Sequence, residues 1–135
     1  MKNKKNDLAP LIDAARKARK DAHAPFSKFK VGAAVRAKSQ TIYSGCNVEN
    51  ASYGLTLCAE RIAIFKAISE GERSGFETIV VITDTKKLTP PCGACRQIIW
   101  EFCGDIEVVL ANLKGETQSF QMSELLPHPF DAASL

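Results

Sequence analysis

Cys58-Ala59-Glu60-Arg61, Ile79-Val80-Val81-Ile82, Pro91-Cys92-Gly93-Ala94-Cys95-Arg96 and Val108-Val109-Leu110-Ala111 follow one another through the middle of the chain, and their alternation decides the fold. Residues 79–82 are apolar at every position, as in a strand covered on both faces. Residues 58–69 read as a helix with Ile62, Phe65 and Ile68 on one side and Gly71 beyond its end. Residues 93–103 read as a second helix carrying Ile98, Ile99 and Phe102 and stopped by Gly104, and residues 108–111 as another strand. A strand-helix-strand-helix-strand order requires parallel pairing there, with helices laid over the sheet.

The pattern continues outward on both sides. Residues 7–22 read as an amphipathic helix, because Leu8, Leu11, Ile12, Ala15 and Ala18 recur at three- to four-residue spacing with basic residues largely between them. Asp7 suits the N-cap, Pro10 falls in the tolerant first turn, and Ala24-Pro25 ends the helix. Phe29, Val31, Ala33 and Val35 alternate as in a strand, residues 42–48 supply its partner, and Lys38-Ser39-Gln40 makes a short antiparallel turn without the usual glycine. Residues 112–115 form a turn, a weaker strand runs through Met122, and residues 123–126 fit one helical turn before Pro127. The expected fold is a single α/β domain over residues 1–135, a three-layer α/β/α sandwich on a mixed five-stranded sheet, with residues 1–6 a flexible N-terminus.

Composition narrows the function classes. Hydrophobic residues make up 45% and charged residues 24%, an ordinary globular balance. The net charge of +3 is too weak to argue for nucleic acid, and its excess sits in Lys2, Lys4, Lys5 and the basic side of the first helix, where a solvated face is the simpler reading. There is no run of about 18 apolar residues for a membrane span. The N-terminal lysines have no apolar core behind them, so no secretory signal is read. Five cysteines in such a chain suit a reducing cytoplasm, where thiols bind metal or stay free.

Three of those cysteines carry the chemistry. Zinc prefers thiolate and imidazole in a tetrahedron, and catalytic sites use three protein ligands and leave a fourth position open. Cys58, Cys92 and Cys95 make three, and neither His23 nor His128 lies in a ligand-like pattern. Both cysteine clusters open a helix, where free N–H groups and partial positive charge favour thiolate. Glu60 stands two residues from Cys58, too far around a helix to share the ion, yet at the helix tip it can bend toward bound water as a general base and acid. A Cys-x-x-Cys pair alone also fits a redox or structural site. A closed structural site needs a fourth ligand, for which only Cys46, in a strand, and Cys103, about 12 Å along a helix, remain. A redox role leaves Cys58-Ala59-Glu60 without work.

Cys58-Ala59-Glu60 with Pro91-Cys92-Gly93-Ala94-Cys95 matches the signature of zinc deaminases. Further segments narrow the family: Ala24-Pro25-Phe26-Ser27-Lys28-Phe29, Val31-Gly32-Ala33-Ala34, Gly45-Cys46-Asn47-Val48-Glu49-Asn50-Ala51-Ser52-Tyr53 and Leu125-Leu126-Pro127. In this order they resemble the small homotetrameric cytidine deaminases over residues 8–130. The resemblance implies one Zn²⁺ per subunit on Cys58, Cys92 and Cys95, Glu60 as proton carrier, and Arg61 hydrogen-bonded to the thiolates. It further implies that Asn47 and Glu49 hold the ribose 3′-hydroxyl, Phe29 lines the pyrimidine pocket, Ala51 touches substrate, and Tyr53 and Phe130 reach a neighbouring subunit's site. Residues two apart in a strand share a face, so Asn47 and Glu49 could act together.

The implied activity is hydrolytic deamination of cytidine and deoxycytidine, with release of ammonia, in pyrimidine salvage. The partners are a small nucleoside and identical subunits, with no nucleic acid or membrane, and the setting is cytoplasmic. Rival readings are a deaminase of a modified cytosine nucleoside, as in the blasticidin S deaminases, and a non-catalytic zinc or redox module.

Overall fold

The computed structural model describes residues 8–135. Its elements are α1 (Leu8–Arg19), β1 (Val31–Ala37), β2 (Ile42–Cys46), α2 (Ala59–Ser69), β3 (Phe76–Thr83), α3 (Gly93–Cys103), β4 (Glu107–Asn112), β5 (Thr117–Gln121) and α4 (Met122–Leu125). Single 3₁₀ turns occupy Tyr53–Leu55 and Ala132–Ser134. The strands form one five-stranded sheet in the order β2-β1-β3-β4-β5. Helices on both faces make it the expected three-layer α/β/α sandwich.

The unbroken apolar run in β3 has its reason in this layering. Val80 and Ile82 face one way and pack with Ala34, Val109 and Ala111 against Leu11 and Ala15 of α1. Ile79, Val108 and Leu110 face the other way, with Val35, against Ala63, Ile64 and Ile99 of α2 and α3. Each fully buried Val, Leu or Ile in these two layers contributes about 1.5–3 kcal/mol. Two glycines let the helices rest directly on the sheet. A Cβ on Gly32 would lie 2.0 Å from the Ala15 carbonyl oxygen, and one on Gly45 would lie 2.7 Å from the Ala63 nitrogen.

Parallel pairing is narrower than the element order implies. Only β3 and β4 pair in parallel, while β1 pairs antiparallel with both β2 and β3. β1 therefore sits between β2 and β3, and those two strands share a direction without touching. α2 also buries a different side from the one expected. Its buried residues are Ala59, Glu60, Ala63, Ile64 and Ala67, while Phe65 is exposed and stacks edge-on to Phe102 with ring centroids 5.8 Å apart. The helix lies close on the sheet at Gly45, where the Ala63 nitrogen and the Ile62 side chain come within 2.8 Å of the place a Cβ would occupy.

Other boundaries shift for local reasons. α1 stops at Arg19, and residues 20–22 continue as tight turns closed by i to i−3 bonds such as Lys20 N–H to Lys17 O at 3.2 Å. The Asp7 cap and the flexible segment 1–6 lie outside the described residues. Phe29 is loop, not strand: the Asn47 side chain takes the Phe29 carbonyl and the Val31 N–H in place of a neighbouring strand. β2 accordingly ends at Cys46, leaving Asn47 and Glu49 beyond it, with Val48 bridged singly to His23 and Leu57. Gln40 solves the glycine-free turn by adopting φ 78° itself. Met122 begins α4 and does not close β5, because Gln121 and Glu124 form a capping box there.

Candidate metal centre and active site

The shared direction of β2 and β3 brings the starts of α2 and α3 to one end of the sheet, beyond the C-terminal ends of those strands. Each helix begins on a cysteine: Cys58 is the N-cap of α2 and Cys92 that of α3, both in extended conformation and neither making a side-chain cap bond. Their sulfurs lie at the positive ends of two helices, where negative charge is favoured. Cys95, one turn into α3, is fully buried beneath them.

The three sulfurs lie within 4.8 Å of one another, with Cys58 Sγ and Cys92 Sγ 4.0 Å apart. Thiolates at about 2.3 Å from a tetrahedral zinc stand roughly 3.8 Å apart, so closure on the ion shortens each separation by no more than about an ångström. This is the only such metal-ligating group among the described residues. Cys46 and Cys103 are free thiols outside it, and burial pushes the Cys103 thiol up to about 12. The site therefore has three protein ligands, not four, and fits one Zn²⁺ per subunit.

The electrostatics agree with a metal-ready cluster. The Cys95 thiol donates toward Cys58, and this bond, opposed by burial and aided by Arg61, holds Cys58 down at about 5. Cys95 is correspondingly pushed upward, by that same bond and by burial. Zinc binds thiolates, so it displaces the protons these thiols hold when it binds. Arg61 Nη2 donates to Cys58 Sγ at 3.2 Å, and its Nε is buried with no partner, leaving donor capacity beside the sulfurs. Glu60 is 4% exposed, and burial together with the Cys58 thiolate pushes its carboxyl up to about 7, a range suited to gaining and losing a proton near neutrality.

Cys58, Cys92 and Glu60 line a cavity of about 200 Å³. Phe29, Val31, Asn47, Thr56, Leu57, Ala59, Val81, Thr83, Thr89 and Pro90 complete its wall. Phe29 and Asn47 are both in this wall. Glu49, Ala51, Tyr53 and Phe130 are not in this wall. Glu49 binds the neighbouring loop, accepting from the Phe26 and Ser27 N–H groups at 2.9 and 3.1 Å and from the Ser27 hydroxyl. Ala51 is exposed, Tyr53 is 79% exposed, and Phe130 is 61% exposed on a tail held against α3. That tail is fastened by Gln97 Nε2 donating to the Phe130 carbonyl and Trp100 Nε1 donating to Asp131 at 3.2 Å.

Several wall residues escaped sequence reading. Val81 and Thr83 alternate on the α2-facing side of β3, hidden inside a run with no amphipathic period. Thr83 is buried, and its hydroxyl lies 2.8 Å from Thr85 and 3.5 Å from Thr89. Arg96 had no assigned role, yet its Nε donates to the Pro91 carbonyl and its Nη1 to the Leu125 carbonyl, both at 2.8 Å. It fixes the loop that delivers Cys92. The one available signal was its place directly after Cys95.

Comparison with known proteins agrees with this geometry. The family model described as the cytidine and deoxycytidylate deaminase zinc-binding region matches residues 5–112. A cytidine deaminase of Sporosarcina psychrophila is 50% identical over 130 residues, covering 96% of this chain and 95% of that protein. One from Halalkalibacterium halodurans is 51% identical over 130 residues, covering 96% and 98%. The crystal structure of the Burkholderia pseudomallei cytidine deaminase superposes with TM-score 0.86 at 48% identity, covering 90% of this chain and 97% of that one. The family model spans most of the chain and these relatives are about half identical to it over nearly their whole length, so this chain belongs to the zinc-binding cytidine and deoxycytidylate deaminase family.

Proposed function

We propose that this protein hydrolyses the exocyclic amino group of cytidine and deoxycytidine, giving uridine or deoxyuridine and ammonia in pyrimidine salvage. One observation carries the reading: three thiols within 4.8 Å of one another adjoin a cavity whose wall holds two of them, Cys58 and Cys92, together with the buried Glu60. Zinc held by Cys58, Cys92 and Cys95 supplies a Lewis acid that makes water acidic enough to react near neutral pH. Glu60 takes the proton of the attacking water and delivers it to the ring nitrogen beside the target carbon. It then takes the proton of the newly added hydroxyl and passes it to the departing amine, so ammonia leaves as the C–N bond breaks and the carbonyl forms. Phe29 packs on the pyrimidine. Asn47 keeps one amide proton for the sugar after donating to Phe29, and Glu49 Oε2 keeps acceptor capacity for the 3′-hydroxyl.

The subunit is read as one of four in a homotetramer. Tyr53, and Phe130 on its fastened tail, are exposed and so available to enter a neighbour's site, and Ala51 is exposed as well. Phe65 and Phe102 form an exposed apolar face suited to burial between subunits. No helix among the described residues is long and apolar enough to cross a membrane. A cytoplasmic setting fits five free thiols.

Zinc content, initial rates on cytidine and blasticidin S, and sedimentation test the reading together. One zinc per subunit, turnover of cytidine and a tetramer are expected, and Glu60→Ala loses at least about 100-fold in turnover with zinc retained. Turnover of blasticidin S without cytidine transfers the site to the modified-nucleoside reading. A silent Glu60→Ala reduces the centre to a non-catalytic module, and an active monomer removes the trans roles of Tyr53 and Phe130.

A further inference from the structure

Phe29 stands in a loop, yet both of its main-chain polar groups are held. Its carbonyl accepts from Asn47 Nδ2 at 2.7 Å, and Asn47 Oδ1 accepts from the Val31 N–H at 2.9 Å. Its N–H donates to Ser27 Oγ at 3.0 Å, and the Ser27 hydroxyl donates onward to Glu49 Oε2. Between Ser27 and Phe29, Lys28 is forced to φ 61°, a conformation that L side chains rarely adopt. The loop holds that turn because Glu49 Oε1 gathers the Phe26 and Ser27 N–H groups as well. The two residues assigned to the sugar are thus also the two that set the backbone of the residue assigned to the base.

Ser27 is the joint in this arrangement. A hydroxyl has one proton to give, and here it goes to Glu49, while its lone pair receives Phe29. The same hydroxyl is the chief reason the Glu49 carboxyl is held below the usual carboxylate range. Oε1 already accepts twice and Oε2 once, so a single acceptor position remains on Glu49, on the oxygen that Ser27 orients.

We propose that Ser27 is a positioning residue that couples recognition of the sugar 3′-hydroxyl to the placement of Phe29 against the base. The inference rests on the assignment of Asn47 and Glu49 to the sugar. Without the Ser27 hydroxyl, Glu49 Oε2 is free to turn away and the Phe29 N–H loses its acceptor. The sugar hydroxyl then contributes less to catalysis, and the base clamp loosens with it.

The test compares kcat/KM for cytidine and 3′-deoxycytidine in zinc-loaded wild type, Ser27→Ala and Ser27→Thr, with zinc content and Tm measured on each. Removing the 3′-hydroxyl costs wild type roughly 10- to 100-fold, the range for a hydrogen bond to a charged group. In Ser27→Ala the same removal costs under about 5-fold, because interacting groups are not additive. Ser27→Thr keeps the hydroxyl and restores the wild-type ratio. A Ser27→Ala enzyme that is slower on both substrates by one common factor overturns the coupling and leaves the sugar assignment standing. A wild type indifferent to the 3′-hydroxyl overturns the sugar assignment itself, and the coupling with it.

Discussion

Gly45→Ala tests whether the metal centre depends on how closely α2 lies on β2. The added Cβ would sit 2.7 Å from the Ala63 nitrogen and 2.8 Å from Cβ and Cγ2 of Ile62. Comfortable contact begins near 3.5 Å, so the helix must lift by about 0.7–0.8 Å. Two of the three obstructing atoms, Ala63 N and Ile62 Cβ, are fixed to the helix backbone, so rotating a side chain cannot absorb the change. Overpacking of this kind costs about 1–3 kcal/mol. For a chain of this size, that lowers Tm by roughly 4–12 °C. The displaced segment lies one turn from Cys58 and closer still to Glu60 and Arg61, so the lift reaches the site. Metal ligands hold their distances to about 0.2 Å, and misplacement approaching an ångström costs turnover about 100-fold. Thermal unfolding by circular dichroism, with and without zinc, and initial rates on cytidine read both effects. The Tm loss persists in the zinc-free protein because its origin is packing. A Gly45→Ala protein with wild-type Tm and wild-type turnover refutes the claim that close contact of α2 with the sheet positions the site.

Two further outcomes follow from the geometry. Arg61→Gln removes the cation 3.2 Å from Cys58 Sγ and leaves three thiolates less compensated; zinc competition with a chromophoric chelator should show affinity lower by about 10- to 100-fold, and unchanged affinity would count against Arg61 as the charge partner. Glu72 accepts from the Ser74, Tyr43 and Ser39 hydroxyls, which hold its carboxyl down at about 2 against an ordinary 4.5. A depressed acid stabilises the fold fully above its unfolded value, and that contribution disappears as pH falls from 4.5 toward 2. The Tm gap between wild type and Glu72→Gln should therefore be present at pH 7 and close across that window, and a gap independent of pH would contradict it.

Much of this protein was legible before folding, and the reason is locality. Caps, glycine stops and apolar periods act within about ten residues, so α3 was read at its observed bounds and all five strands were found. The ligand trio was legible for the same reason: a thiol's affinity for zinc belongs to the residue, and Cys92 and Cys95 sit within one helical turn. Glu60 was legible as a neighbour of the cysteine cluster because its distance from Cys58 along a helix tip is a local fact.

What the tertiary structure alone decided is which backbone meets which. No local signal says that β1 lies between β2 and β3, because strand order is set by long-range pairing and not by period. That order nonetheless brings Cys58 to Cys92 and Cys95. The buried side of α2 was misread because Ile62, Phe65 and Ile68 look alike in sequence although Phe65 is exposed, and closeness of approach is invisible in one strand's sequence. Asn47 shows the same division. Its amide chemistry is written in the residue, but its service to Phe29 and Val31 exists only because the fold leaves those two main-chain groups without a strand partner. The sequence by itself determined the chemistry and the elements, since both are properties of residues and near neighbours. The distances that make them a site are set by contacts between segments far apart in the chain.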